Sequence, residues 1–144
     1  EIIGAAFLAY IAAFSLAQPV TGKLSDKIGR KRPIVIGLLL TSVTMYAMGI
    51  VATLLLFVLI LIVSAVADAL ITPSTTALVS ELSMKNARGQ AMGLLGLASD
   101  GGLIIGPIIG GLAWDFLGQL MPFVLCAIVV GLMGIFAIFL LDEK

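Results

Sequence analysis

The sequence contains no histidine and a single cysteine, Cys126. One cysteine cannot form a disulfide within the chain, and without histidine neither a common zinc site nor a histidine-based catalytic triad can be assembled. No metal or cofactor site is expected. Cys126 lies in an apolar run, where a thiol packs as a small hydrophobe. Charge is scarce as well. Charged residues make up 11% of the chain, with eight Lys and Arg against eight Asp and Glu. A net charge of zero offers no basic field for nucleic acid. The chain opens on Glu1 with neither a Met nor a basic stretch. It therefore does not begin with a signal peptide and reads as a break inside a longer protein.

What is abundant is apolar surface. Hydrophobic residues are 61% of the 144, and mean hydropathy is +1.25. Soluble domains average about 45–50% apolar and about 25% charged. A chain this small cannot hide such an excess in a core, so a bilayer is the natural solvent. Five segments reach the roughly 20 apolar residues that a crossing needs. They span residues 2–20, 34–53, 54–78, 91–114 and 122–141. Continuous rather than alternating hydrophobicity argues for helices over strands. The expected fold is all-α: a polytopic membrane protein of five transmembrane helices, forming one partial domain over residues 1–144.

The basic residues mark sidedness. Lys23, Lys27, Arg30, Lys31 and Arg32 fall between the first two spans, Lys85 and Arg88 between the third and fourth, and Lys144 in the tail. The second and fourth connections have none. Five crossings put all eight on one face, which the positive-inside rule makes cytoplasmic. The expectation is a multi-pass protein of the cell membrane, with loops 22–33 and 80–90 and the C-terminus inside. Trp114 and Phe116 suit an interfacial anchor at the outer end of the fourth span.

Within the first connection, Gly22 and Gly29 permit a tight turn. Asp26 is a lone carboxylate among five cations, able to pair with one of them or to sit at a helix N-terminus. On charge alone the segment is a solvated basic loop that fixes orientation. Its order is more specific. The run Gly22-Lys23-Leu24-Ser25-Asp26-Lys27-Ile28-Gly29-Arg30-Lys31-Arg32 resembles the signature loop of the Major Facilitator Superfamily, which joins the second and third helices of a six-helix half. A second copy often joins the eighth and ninth. The resemblance implies a cytoplasmic gate. Asp26 would bridge to the other half or cap one of its helices, Arg30 and the adjacent Lys31 would supply supporting charge, and Gly22 and Gly29 would allow close helix approach.

The fourth span carries a second match. Gly93, Gly102, Gly106, Pro107, Gly110 and Gly111 follow the spacing of that family's antiporter motif. Gly102, Gly106 and Gly110 recur every four residues and would form a packing stripe. Pro107 removes one helical hydrogen bond. An ordinary small-residue seam is the plainer reading. Pro73, with hydroxyls around it from Thr72 to Thr76, should also kink the third span, the hydroxyls satisfying freed carbonyls.

Two carboxylates, Asp68 and Asp100, lie within about 5 Å of mid-membrane at 1.5 Å per residue. An ionised Asp there costs about 2.5–3.5 kcal/mol, and the neutral acid costs less. A group whose protonation changes with access to water can couple protons to transport. The alternative is an Asp hydrogen-bonded across helices that simply holds a bend. Gly93, Gly96 and Asp100 share one face of the fourth span, nearly opposite the Gly102 stripe. The second and fifth spans have no charge and read as outer, lipid-facing helices, the part played by the third and sixth helices of a Major Facilitator half. No Lys or Arg lies inside a span, so an anionic substrate finds no counter-charge here, whereas a cationic or neutral amphiphile fits better.

The third span has no Arg in Ser64–Asp68, where many amino-terminal halves carry one. Asp68–Pro73 resembles the tenth helix of drug-efflux-like members, and Asp142-Glu143-Lys144 follows the last span at once. The five spans are therefore read as helices eight to twelve, the carboxy-terminal half, although the antiporter motif belongs most typically to the fifth helix. The expected function is part of a secondary transporter that exports a small solute against protons by alternating access, with the small-molecule substrate, protons, the lipid bilayer and the missing half as partners. An uptake porter of the same superfamily, or a non-transporting membrane fragment or scaffold, are the alternatives. An intramembrane aspartyl protease requires a Gly-x-Gly-Asp string, and Ala98-Ser99-Asp100 does not supply it.

Overall fold

A computed structural model describes residues 2–140. Five helices follow one another: α1 Ile2–Ile28, α2 Lys31–Ile50, α3 Leu54–Leu82, α4 Arg88–Leu117 and α5 Met121–Leu140. All five are long and apolar enough to cross a membrane. The tail beyond residue 140, with Lys144, lies outside the described residues.

The helices overrun the expected spans at their charged ends. α1 continues eight residues past residue 20, and α3 continues to Leu82 rather than 78. At 1.5 Å per residue, α1 is about 40 Å long against a hydrocarbon core of about 30 Å. Hydropathy marks the part inside lipid, but helical hydrogen bonding does not stop where lipid does. The first connection is thereby reduced to two residues. Gly22, Lys23, Ser25, Asp26 and Lys27 are helical, and only Gly29, at φ 90°, makes the turn. Gly22 is not a turn residue, and a Cβ there would meet nothing within 4 Å.

Of the five prolines, Pro19 and Pro107 are internal to α1 and α4. Pro33 and Pro122 occupy first turns, where their missing N–H costs nothing. Pro73 is internal to α3 and leaves the carbonyl of Ala69, four residues earlier, without its helical donor. The hydroxyl of Thr21 on α1 donates to that carbonyl at 2.6 Å in a buried contact. The compensating hydroxyl thus comes from another helix, not from the Thr72–Thr76 cluster around the proline. Within that cluster, Thr76 bonds locally to the Thr72 carbonyl.

Packing runs in the order α1, α3, α2, α5, with α4 attached lightly to α5 and α3. The buried residues of α3 are Ser64, Ala65, Ala67, Ala69 and Ser74. All are small, so neighbouring backbones approach closely. α2 meets α3 at Gly37, where a Cβ would lie 2.8 Å from the Ala67 carbonyl oxygen and 2.6 Å from Ile71 Cγ1. α2 meets α5 at Gly131, against Ser42, and at Gly134, against Leu39. The Ser42 hydroxyl donates to the Ala127 carbonyl at 2.6 Å. α2 also leaves Ile36, Val43, Tyr46 and Ile50 exposed, apolar side chains suited to lipid. Cys126 is exposed on α5, so it does not pack in the interior as its apolar surroundings suggested.

The two ends are fixed by contacts. Arg30, between α1 and α2, bonds to Glu81 near the end of α3, which puts the first and third connections together. Gly49, near the end of α2, packs on Leu120 and Phe123, which puts the second and fourth at the opposite end. α1 and α3 therefore run parallel.

Candidate functional site

Asp68 sits half-buried in the middle of α3. Its carboxylate accepts a hydrogen bond from the Tyr10 hydroxyl of α1 at 2.8 Å and a longer one, 3.4 Å, from the Thr41 hydroxyl of α2. Three helices thus converge on one carboxylate, and both donors are neutral. Such a site holds an anion without neutralising it, since hydrogen bonds to an ionised acceptor are about twice as strong as neutral ones. Tyr10 stands in a ladder of rings on α1. Phe7 and Phe14 lie on either side of it, each with its centroid 6.2 Å away, at interplanar angles of 30° and 3°. Nearly two turns below Asp68, the buried Ser74 hydroxyl has no partner among the described residues.

A second cluster lies at the basic end. Arg30 Nε and Nη2 both donate to Glu81 Oε1, at 3.0 and 2.7 Å. Arg30 also pairs with Asp26 four residues earlier and donates to the Ser25 hydroxyl at 3.3 Å. The bond to Glu81 pushes the guanidinium above its already high ordinary pKa, so its charge is permanent. Asp26 lies near the C-terminus of α1, not at a helix N-terminus. The helix dipole disfavours a carboxylate there, and Arg30 offsets this from the favourable i+4 position. Lys31 opens α2.

Asp100 is exposed on α4, with no hydrogen bond or ion pair among the described residues. Gly93, Gly102, Gly106, Gly110 and Gly111 all face open space, with nothing within 4 Å of a Cβ built on any of them. The fourth-span stripe is therefore not packed within these five helices. The glycines that bring helices together are Gly37, Gly49, Gly131 and Gly134. The structure joins Asp26 to Arg30 and Asp68 to neighbouring helices, and it joins Asp100 to neither cluster.

Sequence reasoning passed over two residues that hold these clusters, Tyr10 and Glu81. In the sequence, Tyr10 is an uncharged residue in the middle of an apolar span, and Glu81 lies in a polar connection. Only the packing of α1 on α3 gives either a partner. No spacing within one helix reports which other helix it meets.

Comparison with known proteins identifies the family. The chain is 33% identical over 138 residues to multidrug resistance protein 2 of Bacillus subtilis, an alignment covering 93% of this chain and 34% of the relative. It is 34% identical over 137 residues to multidrug resistance protein 1 of the same organism, covering 92% and 35%. It is 30% identical over 117 residues to the quinolone resistance protein NorA of Staphylococcus aureus, covering 78% and 30%. The chain spans about a third of the length of these relatives. A profile described as Major Facilitator Superfamily matches residues 1–144. These five membrane helices, with a hydroxyl-bound carboxylate at mid-depth and a charge cluster at the Gly29 turn, belong to a member of the Major Facilitator Superfamily, a family of transporters and not of enzymes.

Proposed function

We propose that this chain is part of a larger secondary transporter that exports small cationic or neutral amphiphiles in exchange for protons by alternating access. The observation that carries the reading is Asp68, a carboxylate at mid-membrane depth held by hydroxyls from two other helices. Intramembrane acids are expensive and mark ion pathways or substrate sites. The absence of Lys or Arg from the apolar spans favours a cationic or neutral substrate, and the drug-resistance names of the relatives favour export. Asp100 is a second candidate. It is exposed on α4, on the face nearly opposite the Gly102 stripe, and stands ready to meet spans supplied by the rest of the transporter. The Asp68–Pro73 segment and the lack of Arg before it support the carboxy-terminal half. By the positive-inside rule, the end bearing Gly29 is cytoplasmic.

The transport reading is tested with the full-length protein in everted membrane vesicles acidified inside. They are expected to accumulate a fluorescent lipophilic cation, and a protonophore should abolish the accumulation. Accumulation that persists with the protonophore would remove protons from the scheme.

The Arg30 cluster supports a gating role for the Gly29 turn, with Glu81 as its anchor on α3. Glu81 and Asp26 are more than half exposed, at 54% and 63%, and such pairs contribute under about 1 kcal/mol to stability. Glu81→Gln and Arg30→Gln are therefore expected to leave thermal stability nearly unchanged while each slows transport. The double variant should be no slower than Arg30→Gln alone, because that change already removes the tie to Glu81, together with the bonds to Asp26 and Ser25. Additive losses would show that the two residues act separately.

A further inference from the structure

The tie between Tyr10 and Asp68 does more than hold a carboxylate. α1 packs on α3 and barely touches α2. Three polar ties join α1 and the turn that follows it to α3: Tyr10 to Asp68, Thr21 to the Ala69 carbonyl, and Arg30 to Glu81. The lower two are indifferent to the state of Asp68. The Ala69 carbonyl is a neutral acceptor freed by Pro73, and Arg30 is permanently charged. Two ties end on a carboxylate: Glu81 is more than half exposed and faces a permanent cation, whereas Asp68 lies at mid-span and is held by a neutral donor.

We infer that Tyr10 is a positioning residue for Asp68, holding the ionised carboxylate, and that protonation of Asp68 loosens this one tie and lets the upper part of α1 move relative to α3 about the Thr21–Ala69 contact. The inference rests on the reading of Asp68 as the proton-binding group. The phenol donates to the carboxylate at 2.8 Å, and the bond loses its charge assistance when the acceptor becomes neutral. The flanking Phe7 and Phe14 rings restrain the phenol, so its hydroxyl is presented rather than free to wander. The groups facing Asp68 are few. α1 contributes Tyr10, and its charged residues begin only at Lys23. α2 contributes Thr41, and its charged residues end at Arg32. α3 has no other charged residue before Glu81, and Asp100 on the lightly attached α4 makes no bond to Asp68. Among the described residues, no second charged side chain bonds to Asp68.

The test is the pH dependence of substrate transport by the full-length protein in proteoliposomes. Three variants are compared with the parent: Tyr10→Phe, Asp68→Asn and both together. Tyr10→Phe keeps the ring ladder and removes only the donor. Without that donor the charged carboxylate is less favoured, so protons bind more readily. The midpoint of the pH profile is expected to move upward by roughly half a unit to one unit, a three- to tenfold change in proton affinity. A purely structural role would scale the rate equally at every pH. In the Asp68→Asn background, adding Tyr10→Phe should leave proton-independent substrate exchange unchanged, because the group whose charge Tyr10 senses is gone. If Asp68→Asn abolishes coupling but Tyr10→Phe keeps the parental pH profile, the role of Tyr10 is overturned and that of Asp68 stands. If Asp68→Asn transports with normal coupling, both fall.

Discussion

Asp68→Asn in the full-length protein is expected to lose pH-gradient-driven accumulation while inserting and folding like the parent. The amide is nearly isosteric with the carboxylate and still presents an oxygen to the Tyr10 and Thr41 hydroxyls. What it cannot do is bind and release a proton. Coupling free energies between two ligands run about 1–3 kcal/mol, or roughly 5–150-fold, so the loss of gradient-driven accumulation should be about tenfold or more. The measurement is accumulation against an imposed pH gradient, set beside exchange of labelled for unlabelled substrate with no gradient. Exchange should survive, since it needs the conformational cycle but no net proton movement. A variant that still accumulates substrate at the parental level would take Asp68 out of the coupling step. Asp100→Asn extends the comparison to the second mid-membrane carboxylate, which has no partner among these helices.

The second large effect concerns folding. Gly37→Ala is expected to destabilise the protein by about 1–3 kcal/mol, the usual cost of overpacking, and Gly37→Val by more. A Cβ at this position would lie 2.8 Å from a backbone oxygen of α3, at Ala67. A side chain such as Ile71 can turn aside, but the carbonyl moves only if the two helices separate. Thermal unfolding in detergent measures the loss. Gly106→Ala is the matching control, because nothing lies within 4 Å of a Cβ built there and alanine is the better helix former by about 1 kcal/mol. It should be neutral or stabilising with respect to contacts within these five helices. If it proves as damaging as Gly37→Ala, then spans outside this set cover α4.

That pair of glycines shows how much could be read in advance. Five helices, their order and the grouping of basic residues at one end all followed from hydropathy and charge. Membrane burial and the placing of Lys and Arg are properties of single segments, and the sequence displays them directly. Gly106 belongs to a recognisable string and Gly37 to none, yet Gly37 is the one pressed against a neighbouring helix. Close packing depends on which surfaces meet, and spacing along one helix does not name its partner. The same limit hid Tyr10 and Glu81, whose partners lie 58 and 51 residues away. Asp68 was legible because a charge at mid-span is costly wherever it points. The turn was half legible: Gly29 takes a positive φ that only glycine adopts freely, while Gly22 proved to be ordinary helix.

The α1–α3 pairing also sets a schedule for synthesis. α2 and α3 are joined by only three residues, Val51 to Thr53, so they can enter the bilayer together as a hairpin. Of these five helices α1 emerges first, and its contacts within the set wait until that hairpin is delivered. At about 5–20 residues per second, the 58 residues between Tyr10 and Asp68 correspond to roughly 3–12 s of elongation. Through that interval the Tyr10 and Thr21 hydroxyls are without their partners on α3. Any delay in making α3 therefore lengthens the time for which α1 lacks these ties.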